Sequence, residues 1–187
     1  MGSKLHADPE DYLNYKHKDG VTEAAPKYNP IQHSDKLPVV VRVADKNDVS
    51  FIYSSWLKSY ASQNKDQPRI TIYKMHRPIV TRLLEEAVTL VACMEDDSSQ
   101  ILAWICGERI SKFLVVHYVY TKEAFRRFHL ARSLLDAFDF KKGEPMAVSH
   151  KGYIVKDLKG RYNMQYIPHL QQPGGMKHLK EIYKCES

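Results

Sequence analysis

Three apolar runs follow one another between residues 88 and 120 with almost nothing between them. Val88 to Met94 (VTLVACM), Gln100 to Ile110 (QILAWICGERI) and Phe113 to Tyr120 (FLVVHYVY) are rich in β-branched and aromatic residues, the composition of buried strands. The links between them, Glu95 to Ser99 and Ser111-Lys112, are polar and far too short for a crossover. Strands joined in this way pair antiparallel, so the spacing predicts a continuous meander over 88–120. Such a meander in a domain of this class is flanked by further elements.

The flanking sequence supplies them. Leu37 to Val43 (LPVVVRV) reads as a strand, and the polar turn after it places Asp45 or Asp48 to cap a helix. From Val49 the apolar residues Ile52, Trp56, Leu57 and Tyr60 recur at helical spacing. A second helix is predicted from about Tyr73 to Ala87, with Pro78 marking a break or a first turn. Downstream, Leu130, Ala131, Leu134, Leu135 and Phe138 form one stripe on a helix that begins near His129. Met146 to His150 reads as a short strand, and Tyr166 to Leu170 (YIPHL) as a last strand or edge, while Tyr153 to Tyr162 fits no single element. The order gives an α+β chain with a mixed sheet, one domain over 38–187. Residues 1 to 37 hold almost no aliphatic run, so they are expected to form a flexible arm that adds little to stability.

The formal net charge is +6, which suits a phosphate-rich cofactor or nucleic acid as well as a plain solvated surface. No recognition helix or aromatic RNA-stacking motif is legible, so nucleic acid ranks last among partners. No apolar run reaches membrane-spanning length and no signal-peptide pattern opens the chain. The expectation is therefore a cytoplasmic protein (host cytoplasm, were the chain viral) without a membrane partner. Cys93, Cys106 and Cys185 are odd in number and form no CxxC pair, so buried reduced thiols are expected. The nine histidines include no HExxH, and no metal site, Walker-type loop or GxSxG elbow is expected.

Chemistry concentrates between Val115 and Ala131, where an apolar strand runs into a basic turn that opens an amphipathic helix. A helix N-terminus presents unpaired N–H groups and the positive end of a dipole, and Arg126, Arg127 and Arg132 add charge there. Such a turn is either a solvated basic corner or an anion site. The residues Arg126-x-x-His129-x-Ala131 resemble the Arg/Gln-x-x-Gly-x-Gly/Ala signature of the GNAT acyltransferases. Val41-Arg42-Val43-Ala44-x-x-x-Asp48-Val49 is similar to that family's opening strand and first helix, and the element order between the two agrees. The text as a whole, with FIYSSWLKSY, LVACMEDD and VHYVYTKEAFRR, resembles small GNAT-like proteins of tailed phages and prophages, over about residues 38 to 170.

The resemblance implies a GNAT-like mixed sheet and acetyl-coenzyme A as acyl donor. The backbone of Tyr118, Val119 and Tyr120 would bond the pantetheine arm. The turn Arg126, Arg127, Phe128, His129, Leu130 and Ala131 would cradle the pyrophosphate. The implied activity is acetyl transfer to an amine of a small molecule or protein. The alternative is a non-catalytic module of this fold, a phage structural or regulatory protein with a vestigial cleft. Two departures bear on that choice: His129 stands where the family has its central Gly, and the strand position that often carries a Glu base holds Phe113 and Val115. Period-two alternation puts His117 on the same face as those two, and its ordinary pKa near 6.5 suits a base. Glu108 is a second candidate base, and Tyr153 or His150 a candidate acid.

Overall fold

The computed structural model describes residues 37–110, 113–150 and 162–184, with the backbone alone for 182–184. Most of the expected arm, the Ser111-Lys112 link, Tyr153 and Cys185 lie outside the described residues. The elements in chain order are β1 (Val39–Val43), α1 (Val49–Gln63), α2 (Arg69–Glu86), β2 (Val88–Met94), β3 (Ile101–Ile110) and β4 (Phe113–Thr121). They continue with α3 (Leu130–Ala137), β5 (Pro145–Val148), β6 (Asn163–Tyr166) and α4 (Gly175–Lys184). The six strands make one sheet in the order β1-β2-β3-β4-β5-β6. The first four pair antiparallel, and β5 and β6 run parallel to β4 and to each other. The expected meander and the α+β mixed sheet flanked by helices are therefore present.

Each face of the sheet is covered. Leu90, Ala92, Leu102, Ile105, Leu114 and Val116 pack with Leu130, Leu134 and Leu135 of α3. On the opposite face Val91, Trp104, Cys106 and Tyr118 pack with Ile52, Trp56 and Tyr60 of α1 and Ile72, Val80 and Leu83 of α2. Beneath the start of β4, Phe113, Val115 and Ala147 meet Leu170 and Met176. The full burial of Trp56 and Trp104 follows from their size: each removes far more apolar area from water than an aliphatic side chain. The Trp104 indole N–H is accommodated by donating to Ser55 Oγ at 3.0 Å. Cys93 and Cys106 are buried free thiols, as expected, and burial pushes the Cys106 thiol up to about 12.

The turn after β1 is fixed by charge. Arg42 donates to both carboxylate oxygens of Asp48, at 2.6 and 2.9 Å, and to the Ser98 carbonyl at 2.9 Å. Asp48 occupies the N-cap position of α1 but makes no side-chain capping bond. Its Oδ2 instead also accepts the Asp45 backbone N–H at 2.8 Å. The Arg42–Asp48 pair thus ties β1, the start of α1 and, through Arg42, the β2–β3 turn together, a charge-assisted fork of the stronger kind.

Two expectations need correction, and one helix went unread. Pro78 neither breaks nor starts a helix; it lies inside α2, which runs unbroken over 18 residues. Its ring removes a single ladder N–H, and at a solvent-exposed position the freed carbonyl can bond water. YIPHL is not a strand: β6 ends at Tyr166 and Pro168 opens a 3-10 turn over Pro168–Gln171, since proline lacks the N–H a ladder needs. The helix α4 was not anticipated, because Gly174-Gly175 reads as loop, yet Met176 and Leu179 are spaced to dock it.

The feature that positions the site is a break in register. Gly107 pairs with Val116 but Cys106 pairs with Tyr118, so His117 is an extra residue in β4. Such a bulge interrupts the alternation of faces: Leu114 and Val116 face α3, while Tyr118 faces α1. Gly107 permits it, since a Cβ at that position would stand 2.6 Å from the Val115 carbonyl oxygen. Gly107→Ala should therefore cost about 1–3 kcal/mol, the range for overpacking a core, read as a melting temperature lower by several degrees. An unchanged melting temperature would show that the strands yield without cost.

Candidate functional site

Beyond the bulge, β4 and β5 part. The parallel ladder covers Leu114↔Met146, Val115↔Ala147 and Val116↔Val148 and closes with Ser149 N–H donating to the Val116 carbonyl at 3.1 Å. From Tyr118 to Thr121, β4 is paired on its β3 side only among the described residues. Which backbone groups face the opening follows from one bond. Lys122 N–H donates to the Leu102 carbonyl at 2.9 Å, and opposed residues of an antiparallel ladder alternate between bonded and unbonded pairs. Tyr120↔Trp104 and Tyr118↔Cys106 are thus the bonded pairs. The N–H and C=O of Val119 and Thr121 point into the splay. Of the three strand residues expected there, Val119 presents its backbone and Tyr118 and Tyr120 spend theirs on β3.

The apex of the splay is closed by side chains. His117 is 1% exposed and Ser149 is 0% exposed, and His117 Nδ1 lies 2.9 Å from Ser149 Oγ. His117 Nε2 is buried with no hydrogen-bond partner among the described residues. Burial, reinforced by the nearby Arg82 guanidinium, lowers its pKa to about 4. His150, one residue further on, is likewise lowered to about 4 by burial and by His76, and burial lowers His76. Glu108 stands elsewhere: it sits opposite Val115, before the bulge, and its carboxylate takes the ammonium of Lys180 from α4. The structure therefore does not bring Glu108 and His117 together at the open part of β4.

At the far end of β4 the chain turns through Glu123–Phe125 into α3. Arg127 and His129 both adopt left-handed backbone, with φ of 76° and 58°. His129, at the N-cap of α3, has ψ of 15° and so is not helical. A left-handed residue followed by a helical one turns successive N–H groups toward a common point, an anion-binding concavity. The His129 carbonyl is used by Arg132 and Ser133 N–H. Arg126, Arg127, Phe128 and His129 are exposed, and Leu130 is buried. The position where the resemblance expects glycine has the conformation glycine favours, and a histidine holds it. Non-glycine residues in this region cost roughly 1–2 kcal/mol, and such strain gathers at functional turns.

Sequence reasoning missed Ser149 and Thr121. Ser149 carries no local signal, because its role appears only once Val116 is known to be its partner. Among the described residues no cluster of His, Cys, Asp and Glu is arranged to hold a metal ion, and no helix is long and apolar enough to cross a membrane.

No family model matches the chain and no curated protein matches it. Among solved structures it is similar to a proposed acetyltransferase of the GNAT family from Xanthomonas campestris pv. campestris. The TM-score is 0.46 and the identity 16%, over 73% of this chain and 91% of that one. A proposed acetyltransferase from Clostridium difficile 630 gives 0.43 and 16%, over 71% and 95%. An aminoglycoside N-acetyltransferase in complex with CoA gives 0.42 and 10%, over 68% and 86%. These are likenesses of outline at low identity, and the functional reading rests on the site itself.

The buried imidazoles set the acid stability. With folded-state pKa values near 4 for His117 and His150 against an ordinary 6.5, the unfolded chain takes up protons first as pH falls. Their contribution is present above about pH 6.5 and is lost between 6.5 and 4, up to about 3 kcal/mol for each. Melting temperatures taken from pH 7 to pH 4 should fall across that window, and His117→Gln should flatten part of the slope. A profile flat to pH 4 would contradict the assignment.

Proposed function

We propose that this chain transfers an acetyl group from acetyl-coenzyme A to an amine. The observation that carries the reading is the splay past Val116, where Val119 and Thr121 turn backbone groups with no partner among the described residues away from β3, on the strand that leads into the basic, left-handed turn at Arg126–His129. A pantetheine arm offers amides of the spacing and polarity that a strand edge bonds. Its pyrophosphate is the multiply charged anion that a helix N-terminus flanked by guanidinium groups favours. In this reading Val119 and Thr121 hold the arm, with Tyr118 and Tyr120 fixing the strand from the β3 side. The N–H groups of Phe128, His129, Leu130 and Ala131, with Arg126 and Arg127, hold the phosphates.

Acetyl-coenzyme A supplies an acyl carbon activated by the thioester. The chain's own residues orient it and handle the proton. A backbone N–H at the splay polarises the carbonyl where charge develops. His117 is kept neutral by burial, which disfavours the imidazolium, and is tethered through Nδ1 to Ser149, so in this reading its Nε2 orients the nucleophile by accepting a hydrogen bond and does not store the proton. It ranks ahead of Glu108, whose carboxylate is engaged by Lys180. Tyr153 remains a candidate acid for the thiolate. The vestigial-module alternative leans on His129 in place of Gly and on the missing strand Glu; on the first point the left-handed backbone of His129 supports the acyl-transfer reading, since the turn keeps the conformation glycine favours.

Calorimetric titration with acetyl-coenzyme A tests the reading. Arg126→Ala should weaken binding by about tenfold, since a charge-assisted hydrogen bond contributes about 1.5–3 kcal/mol and 1.4 kcal/mol is a factor of ten. Binding should also weaken as salt rises. Equal affinity in the variant would move the phosphate site away from this turn, and no binding at millimolar concentration would sink the proposal.

A further inference from the structure

On the helix side of the splay four rings gather from four elements: Tyr60 of α1, His76 of α2, Tyr118 of β4 and His150 beyond β5. Tyr118 is the first β4 residue past the bulge, and its ring centroid is 5.1 Å from that of His150, across the opening. Tyr60 lies edge-on to both, at 5.8 Å from Tyr118 and 4.3 Å from His150, and 4.2 Å from His76. Tyr118 is held from behind by Trp56 and Trp104, at 5.1 and 5.4 Å, and its hydroxyl donates to Ser59 Oγ. Tyr60 is buried, while His76 and His150 are half-buried and form the rim.

We infer that this wall of rings is the acceptor side of the splay and that it selects a planar aromatic amine entering uncharged. The inference rests on the acyl-transfer reading and names its acceptor class. Shape gives the first argument, because rigid rings presented edge and face favour a flat partner. Charge gives the second. His76 and His150 are held neutral, and among the described residues no carboxylate offsets the burial of any of the three imidazoles. A site that disfavours an imidazolium disfavours an alkylammonium for the same reason. Hydrogen bonding gives the third: His150 Nε2 and His76 Nδ1 are buried with no partner among the described residues, a cost that an amine N–H entering between the rim rings would relieve. An aromatic amine is neutral near pH 7, so it needs no strong base to free its lone pair. This fits a strand that carries Phe113 and Val115 where a carboxylate would otherwise serve. Its nitrogen attacks the thioester carbonyl, the C–N bond forms as the C–S bond breaks, and the nitrogen's proton ends on the departing sulfur.

The experiment is a titration of the full chain with aniline, benzylamine and cyclohexylamine, followed by the imidazole NMR signals of His76 and His150. Aniline should shift both at the lowest concentration, cyclohexylamine last. His150→Leu should weaken the aniline response, read at His76, by tenfold or more; His76→Leu, read at His150, serves the same purpose should the first variant not fold. Benzylamine or cyclohexylamine binding more tightly than aniline would overturn the inference, as would aniline leaving both signals in place while acetyl-coenzyme A binds. A chain that ignores acetyl-coenzyme A would instead sink the acyl-transfer reading and this inference with it.

Discussion

One extra residue in β4 sets the geometry on which everything else depends. A regular strand from Phe113 to Thr121 would keep one face toward α3 and one toward α1, and its outer edge would pair with β5 along its length. Inserting His117 opposite Gly107 flips the alternation and exchanges which backbone groups face outward. It also ends the ladder with β5 at Val116. The consequences are physical and linked. Tyr118 turns onto α1 and joins the Trp56–Trp104 stack, Val119 and Thr121 offer backbone donors and acceptors to the opening, and His117 is buried at its apex. The close approach that makes this possible requires a residue without a Cβ at position 107.

The turn into α3 is the second constraint. Arg127 and His129 hold left-handed backbone without being glycine, so the conformation is imposed by what flanks it rather than chosen by those residues. On one side Leu130, Leu134 and Leu135 anchor α3 in the core. On the other, Phe125 packs against that same cluster and its ring lies 6.3 Å from Phe128. Between two anchored ends the turn has little freedom, and its N–H groups converge. A helix end built in this way is poised for an anion before one arrives, which is the economical arrangement for binding.

Much of the fold was legible because its signals are local. The three apolar runs from 88 to 120 and the Leu130–Leu135 stripe dictate strands and a helix whatever surrounds them. What escaped was decided by partners distant in sequence. Pro78 sits within a helix because its missing bond faces solvent, and α4 docks because Met176 and Leu179 meet Leu170 and Phe113 across the end of the sheet. The site divides in the same way. The basic turn stands out as residues 126 to 131, but the bulge does not, since His117 reads as one more residue in an alternating strand. Tyr60 and His76 stand more than 70 residues before Ser149 and His150, and only the packing of α1, α2 and β5 gathers them.

The central claim is that the splay past His117 receives the pantetheine arm through the backbone of Val119 and Thr121. Amide NMR with residue-selective labelling during addition of acetyl-coenzyme A tests it most directly. The N–H signals of Val119 and Thr121 should shift strongly, together with those of Phe128 to Ala131, while Tyr118 and Tyr120, bonded to β3, should move less. Shifts confined to other parts of the sheet, or none at millimolar acetyl-coenzyme A, would contradict it.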